Sequence, residues 1–159
     1  MTEVFVAAGS NLEPERHLAC ALNELRRAFP TVRTSSWYRS RAADGAGADF
    51  VNLVLSFITA LSPREVRAQL KATEVRCGRT RPSRGVELDL DLLMYGELML
   101  REHDLELPRP ELLTQAYLLG PLAELAPALR HPGAGHSIGE LWGQFDKSQH
   151  PLERLPAGV

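Results

Sequence analysis

Two aspartates spaced two residues apart, Asp89 and Asp91 in the run LDLDLLMY at residues 88–95, are the part of this sequence best placed to do chemistry. The alternation of Leu88, Leu90 and Leu92 with the two acids predicts a β-strand. On a strand both carboxylates leave one face about 6–7 Å apart, given a rise of roughly 3.3 Å per residue. Two ionised carboxylates at about 6 Å repel by roughly 3 kcal/mol at an effective dielectric of about 20. A divalent cation between them turns that repulsion into attraction. Hard oxygen donors on a rigid strand, with positions left for water and phosphate oxygens, suit Mg²⁺. A bridging pair of ions would be the arrangement of two-metal phosphoryl chemistry. Alternation alone is met more simply by an amphipathic strand with a solvated polar face, so the neighbouring residues decide.

Immediately before the acids, residues 78–87 (GRTRPSRGVE) carry Arg79, Arg81 and Arg84 and almost nothing to bury, which predicts an exposed, mobile loop. Cations beside a carboxylate pair are the parts needed to hold a polyphosphate; an ordinary solvated arginine loop reads the same way in isolation. Lys71 and Glu74 lie on the helix leading into this loop, within reach of the same region or on a solvated helix face. Asn52 sits inside the apolar run FVNLVL, where a buried amide must find partners and is therefore either a backbone pin or a ligand donor. Phe50 and Tyr117 read first as core aromatics. No Gly-rich phosphate loop is present, since Gly45-Ala46-Gly47 lacks the strand–turn–helix context and the lysine. The five histidines show no H-x-x-H spacing. Cys20 and Cys77 are too few for a disulfide framework and lack C-x-x-C or zinc spacing, so both are expected to be small core residues on helices.

Around these residues the chain predicts a single domain over residues 1–159, with 44% apolar positions, enough for one core. A net charge of −2 excludes a strongly basic nucleic-acid coat, and all but Lys71 and Lys147 of the 18 basic residues are Arg. No window approaches the ~20 consecutive apolar residues of a membrane span, and the first residues lack the pattern of a secretory leader. A soluble, intracellular protein is expected. Residues 3–8 read as a strand, and Gly9-Ser10-Asn11 as a turn. Leu18, Leu22, Leu25 and Phe29 form a helical stripe ending at Pro30. Residues 31–40 and 50–59 read as strands, and Ser62-Pro63-Arg64-Glu65 as a capping box with Pro at the first helical position. Short strands are expected at 98–101 and 105–107, and helices at 115–124 and 137–144. The order βαββαβββαα predicts an α+β fold with a mostly antiparallel sheet and flanking helices, rather than a doubly wound parallel one.

Several blocks in order along nearly the whole chain resemble the 6-hydroxymethyl-7,8-dihydropterin pyrophosphokinase (HPPK) family: VAAGSNL at 6–12, SSWYRS at 35–40, FVNLVL at 50–55, GRTR at 78–81, LDLDLLMYG at 88–96, LLGPLAELAP at 118–127 and FDK at 145–147. The resemblance implies a ferredoxin-like α+β fold, a cytoplasmic monomer, and transfer of pyrophosphate from ATP to the hydroxymethyl group of a pterin, with release of AMP. It implies two Mg²⁺ ions on Asp89 and Asp91, and a pterin site in which Asn52 hydrogen-bonds the ring, Phe50 and Tyr117 line it, and Ser40 lies close by. Arg79 and Arg81 match the start of a catalytic loop; Lys71, Glu74, Arg81 and Arg84 are expected on the ATP side. Partners are thus a small pterin and a nucleotide, with no nucleic acid and no membrane.

The departures from the family pattern cluster on the nucleotide side. Val86 stands where the family has an Arg, in a loop about three residues short. Asp104, Glu106 and Arg109 replace the Arg, Thr and His of an R-x-T-x-P-H stretch, and Gln115 replaces a basic residue. Acids beside a polyphosphate reverse a local attraction, and each lost charged hydrogen bond costs about 1.5–3 kcal/mol. The rival expectation is therefore a pterin-binding module that has lost efficient use of ATP.

Overall fold

The computed structural model describes residues 1–41, 47–78 and 85–156. In chain order its elements are β1 (Thr2–Ser10), α1 (Pro14–Ala28), β2 (Arg33–Thr34), β3 (Tyr38–Ser40), β4 (Phe50–Thr59), α2 (Pro63–Arg76), β5 (Asp89–Tyr95), β6 (Leu100–Glu102), β7 (Leu105–Leu107), a 3-10 turn (Pro110–Leu113), α3 (Ala116–Leu125), α4 (Ile138–Gln144) and β8 (Glu153–Arg154). A six-stranded sheet runs β5-β1-β4-β3-β8, with β2 also on β4, and every pairing is antiparallel. With β2 and β3 counted as one interrupted strand, α1 follows β1, α2 follows β4, and the first four strands take the 4-1-3-2 order of a split βαβ fold. This is the expected antiparallel α+β architecture.

Both faces of the sheet are covered, which is why β1 and β4 are apolar almost throughout. On one face Val4, Val6, Leu53, Leu55, Leu90 and Leu92 pack with Leu18, Leu22 and Leu25 of α1 and Val66 and Leu70 of α2. On the other, Phe5, Ala7, Val54, Leu93 and Met94 pack with Leu118, Leu119 and Leu122 of α3 and Ile138 of α4. A bulge between Phe5 and Val6 leaves Leu93 without an opposite residue on β1.

Both capping boxes read from the sequence are formed, Ser62 with Glu65 and Ser137 with Glu140. The single strand expected at 31–40 is instead two short ones. Ser35 diverts the ladder by accepting the Val54 amide on its hydroxyl at 3.0 Å, and Ser36 turns to the Glu124 carboxylate. The expectation of two separate core cysteines is corrected: Cys20 and Cys77 are joined as a disulfide with their Cα atoms 5.7 Å apart, tying α1 to the end of α2. Spacing carried no sign of it, because 57 residues separate the two in sequence and only the packing of the helices brings them together.

Candidate active site

A row of directly paired residues crosses the sheet near the end of β1: Asp89 opposite Gly9, Gly9 opposite Asn52, Asn52 opposite Tyr38. Paired residues share a face, so one surface carries Asp89, Asn52 and Tyr38, with Gly9 between the first two. The next row toward the core places Asp91 opposite Ala7, and the next one outward places Ser40 opposite Phe50. Small residues at 7 and 9 leave the space between the two acids and Asn52 unfilled by β1 side chains. Gly9, read from sequence as part of a turn, is the residue that sequence reasoning missed: a Cβ there would stand 2.3 Å from Asn52 Oδ1. The carboxamide of Asn52, 6% exposed, makes no side-chain hydrogen bond among the described residues, which favours the ligand donor over the backbone pin.

The acids lie on the free edge of the sheet. Burial pushes the Asp91 carboxyl above its ordinary range, the Asp89 charge pushes the same way, and Arg109 and Lys71 oppose them. Arg109 Nη1 stands 3.8 Å from Asp91 Oδ1, and its Nε 3.6 Å from Glu111. The backbone holds Arg109 there, since its amide donates to Leu93 O on β5 at 2.9 Å. Tyr117, half-buried on the first turn of α3, has its hydroxyl pKa raised by burial and then by the Asp91 and Glu111 charges, so it belongs to the same cluster. Tyr38 is engaged elsewhere: its hydroxyl donates to Glu124 on α3 at 2.5 Å, and burial with that carboxylate pushes its pKa up to about 12.

From the other side of the edge strand, the Glu74 side chain, 1% exposed, accepts the Leu90 amide at 2.7 Å, midway between the two aspartates. Lys71 Nζ lies 3.5 Å from Glu74 and reaches the field of Asp91. The structure thus gathers Asp89, Asp91, Asn52, Lys71, Glu74, Arg109 and Tyr117 at one end of β1, β4 and β5, with Ser40 and Phe50 on the same sheet face. Arg79, Arg81 and Arg84 lie outside the described residues. Val86 contributes its backbone: its amide donates to Asn11 Oδ1 at 2.6 Å, and its carbonyl accepts the Asn11 amide at 2.9 Å.

The acids expected to repel a polyphosphate are already partnered. Asp104 accepts from Arg64 at 2.9 and 3.3 Å and from Arg67 at 3.3 Å, Glu102 pairs with Arg64, and Glu106 lies 3.5 Å from Arg101. The charge reversal at Asp104 is met by cations from α2, so the local field is far less negative than the sequence of the β6–β7 hairpin implies.

Among the described residues no cluster of three or more His, Cys, Asp or Glu is placed to hold a metal. Two carboxylates with open surroundings fit an ion that keeps most of its shell for water and substrate oxygens, which is how Mg²⁺ binds phosphate substrates. The Asp91 carboxyl stays raised, chiefly by burial and then by Asp89, although Arg109 and Lys71 oppose the shift.

The sequence model of the 7,8-dihydro-6-hydroxymethylpterin-pyrophosphokinase (HPPK) family matches residues 5–127. Proteins named 2-amino-4-hydroxy-6-hydroxymethyldihydropteridine pyrophosphokinase are similar to this chain. The one from Pseudomonas aeruginosa is 39% identical over 139 residues, covering 84% of this chain and 86% of its own. The one from Synechocystis is 36% identical over 146 residues, covering 89% and 75%, and the one from Haemophilus influenzae 34% over 161 residues, covering 98% and 99%. Among solved structures, a Plasmodium falciparum HPPK-DHPS shares the fold at a TM-score of 0.75 with 13% identity, over 93% of this chain and 45% of that longer one. By its sequence match over most of its length, and with the fold to go with it, the chain belongs to the 7,8-dihydro-6-hydroxymethylpterin-pyrophosphokinase family.

Proposed function

We propose that this chain catalyses transfer of pyrophosphate from ATP to the hydroxymethyl oxygen of 6-hydroxymethyl-7,8-dihydropterin in folate synthesis, releasing AMP. The observation that carries the reading is the single sheet face on which Asp89 and Asp91 stand across the small residues Ala7 and Gly9 from Asn52. In the reaction the substrate hydroxyl oxygen forms a bond to the β-phosphorus and gives up its proton to water, the bond from that phosphorus to the α–β bridging oxygen breaks, and AMP leaves with the bonding pair. Little covalent work falls to the protein in such a transfer; positioning and charge neutralisation do most of it.

Asn52 offers a donor and an acceptor to the pterin ring edge, and Phe50 and Tyr117 line the ring. Ser40, beside Phe50, completes that side. Asp89 and Asp91 would hold two Mg²⁺ ions, which supply charge neutralisation to the phosphates when bound. Lys71 and Arg109 add positive charge that acts on Asp91, and Arg79, Arg81 and Arg84 follow α2 in sequence as further phosphate partners. Glu74 holds the backbone between the two aspartates rather than facing a ligand with both oxygens. The chain works as one domain over residues 1–159, as a monomer in the cytoplasm. No described helix is long and apolar enough to cross a membrane.

The test incubates purified protein with ATP, Mg²⁺ and 6-hydroxymethyl-7,8-dihydropterin, with AMP and the pterin diphosphate resolved by chromatography. Equal amounts of the two products, formed at ~0.1 s⁻¹ or faster, on the order of the slow end of ordinary enzymes, support the reading. Pterin binding without AMP would replace it with a binding module.

A further inference from the structure

The disulfide lies one helical turn from Glu74, whose side chain holds the backbone between the two aspartates. Cys77 caps the C-terminus of α2, and its amide donates to Thr73 O at 2.9 Å, so Glu74 lies within the turn that Cys77 closes. Glu74 in turn accepts the Leu90 amide at 2.7 Å. Beyond Cys77 comes Gly78 at φ 100°, a left-handed residue that ends the helix. A helix terminus is where a structure frays first. Apart from the shared core, the described bond between α1 and α2 near this end is an exposed ion pair, Arg76 Nε to Glu24 at 3.1 Å. The covalent link to Cys20, midway along α1, is therefore the strongest restraint on the last turn of α2.

We propose that Cys20 and Cys77 form a redox-operated tether that sets how firmly Glu74 holds the Asp89–Asp91 segment of β5. Closed, the disulfide keeps the last turn of α2 on α1 and Glu74 on Leu90. Opened, that turn frays and the spacing of the aspartates loosens. Opening is thiol–disulfide exchange with a dithiol reductant of the thioredoxin class. Its thiolate attacks Cys20 Sγ, since Cys20 is the partly exposed member and Cys77 is 5% exposed. The S–S bond breaks, and Cys77 leaves as thiolate and takes a proton. The reductant's second thiol then displaces Cys20, so two electrons and two protons pass from the dithiol to the protein. A disulfide oxidant reverses every step. In a reducing compartment such a pair is open at rest and closes under oxidative challenge.

This inference rests on the proposed pyrophosphokinase reading only for its consequence in turnover, and its test does not depend on turnover. Thiols in oxidised and dithiothreitol-reduced full-length protein are counted by alkylation and mass spectrometry, and amide exchange is followed by NMR at Leu90 and at Val54, whose side chain packs on the sheet face opposite the cysteines. The expected result is no alkylation in the oxidised form and two sites in the reduced form. On reduction Leu90 exchange should quicken by about tenfold, the scale of a local opening, with Val54 unchanged. Cys20→Ser should show the fast Leu90 exchange under both conditions. Equal Leu90 exchange in the two forms, free thiols after oxidation, or Leu90 and Val54 quickening together would each overturn the tether. AMP formation at saturating pterin should fall about threefold on reduction; if neither form makes AMP, the functional reading fails while the exchange data still decide this one.

Discussion

The carboxamide of Asn52 occupies the space that a side chain on Gly9 would need, with Oδ1 only 2.3 Å from where the Cβ would be. A glycine within a paired ladder is otherwise unfavourable, so the two residues are best understood as a pair that presents the amide to the open face beside Asp89.

Gly9→Ala should therefore move Asn52 and weaken pterin binding more than it weakens the fold. Displacing a packed side chain costs about 1–3 kcal/mol, so pterin affinity should fall roughly tenfold to a hundredfold. Fluorescence titration with the pterin measures it. An unchanged dissociation constant would remove Asn52 from the pterin site.

Asp91 carries a carboxyl pushed up by burial and by the charge of Asp89. A raised carboxyl pKa favours the protonated folded state, so its contribution to stability is present below the ordinary carboxylate range and is lost as pH rises through the folded value. At neutral pH without metal, Asp91→Asn should thus raise Tm. The same variant should lose Mg²⁺-dependent stabilisation by an ATP analogue. Thermal melts with and without Mg²⁺ read both, and a lower Tm for the metal-free variant would contradict the electrostatic account.

Glu74 supplies a buried acceptor to Leu90. Glu74→Ala leaves that amide without its partner at a cost of about 1.5–3 kcal/mol, visible in urea unfolding. Glu74→Gln keeps an acceptor oxygen and should recover most of it. Glu74→Ala should lower kcat for AMP formation while leaving the pterin KM near that of the unaltered enzyme, and Glu74→Gln should recover most of the kcat, because Glu74 acts through the β5 backbone.

Asp104 is held at about 2 by its hydrogen bonds to Arg64, with Arg67 adding to the effect. A lowered carboxylate pKa contributes stability that is present above the ordinary value and lost as pH falls through the folded one, here between about 4 and about 2. Asp104→Asn should flatten the acid limb of the stability curve in that window. Asp104→Arg removes the acid that neutralises Arg64 and Arg67 and adds a cation, so it should lower the KM for ATP. An unchanged KM would show that this hairpin lies outside the field felt by the nucleotide.

Local rules made much of this molecule legible. The helical stripe Leu18–Leu22–Leu25, the capping boxes at Ser62 and Ser137 and the alternation around Asp89 each depend on neighbours within one or two turns, and each is present in the structure. What escaped depends on distant partners. The break between β2 and β3 follows from Ser35 and Ser36 bonding to Val54 and Glu124. The two-residue β8 exists because β3 lies beside it. The neutralisation of Asp104 by Arg64 and Arg67, the pairing of Cys20 with Cys77 and the use of Gly9 as a recess for Asn52 have no periodic signature. Each becomes visible only when the antiparallel register and the helix packing bring the partners together.

The most direct test of the account compares the native chain with Asp89→Ala in the same Mg²⁺ titration, with AMP and pterin diphosphate followed in a single turnover. The native chain should form both products in step as Mg²⁺ is added. The variant, which loses one of the two paired aspartates of β5, should slow by a factor of about 10³ or more, the scale of about 4 kcal/mol of lost transition-state stabilisation. Product formation by the variant at the native rate would contradict the assignment of the site to the Asp89–Asp91 edge of the sheet.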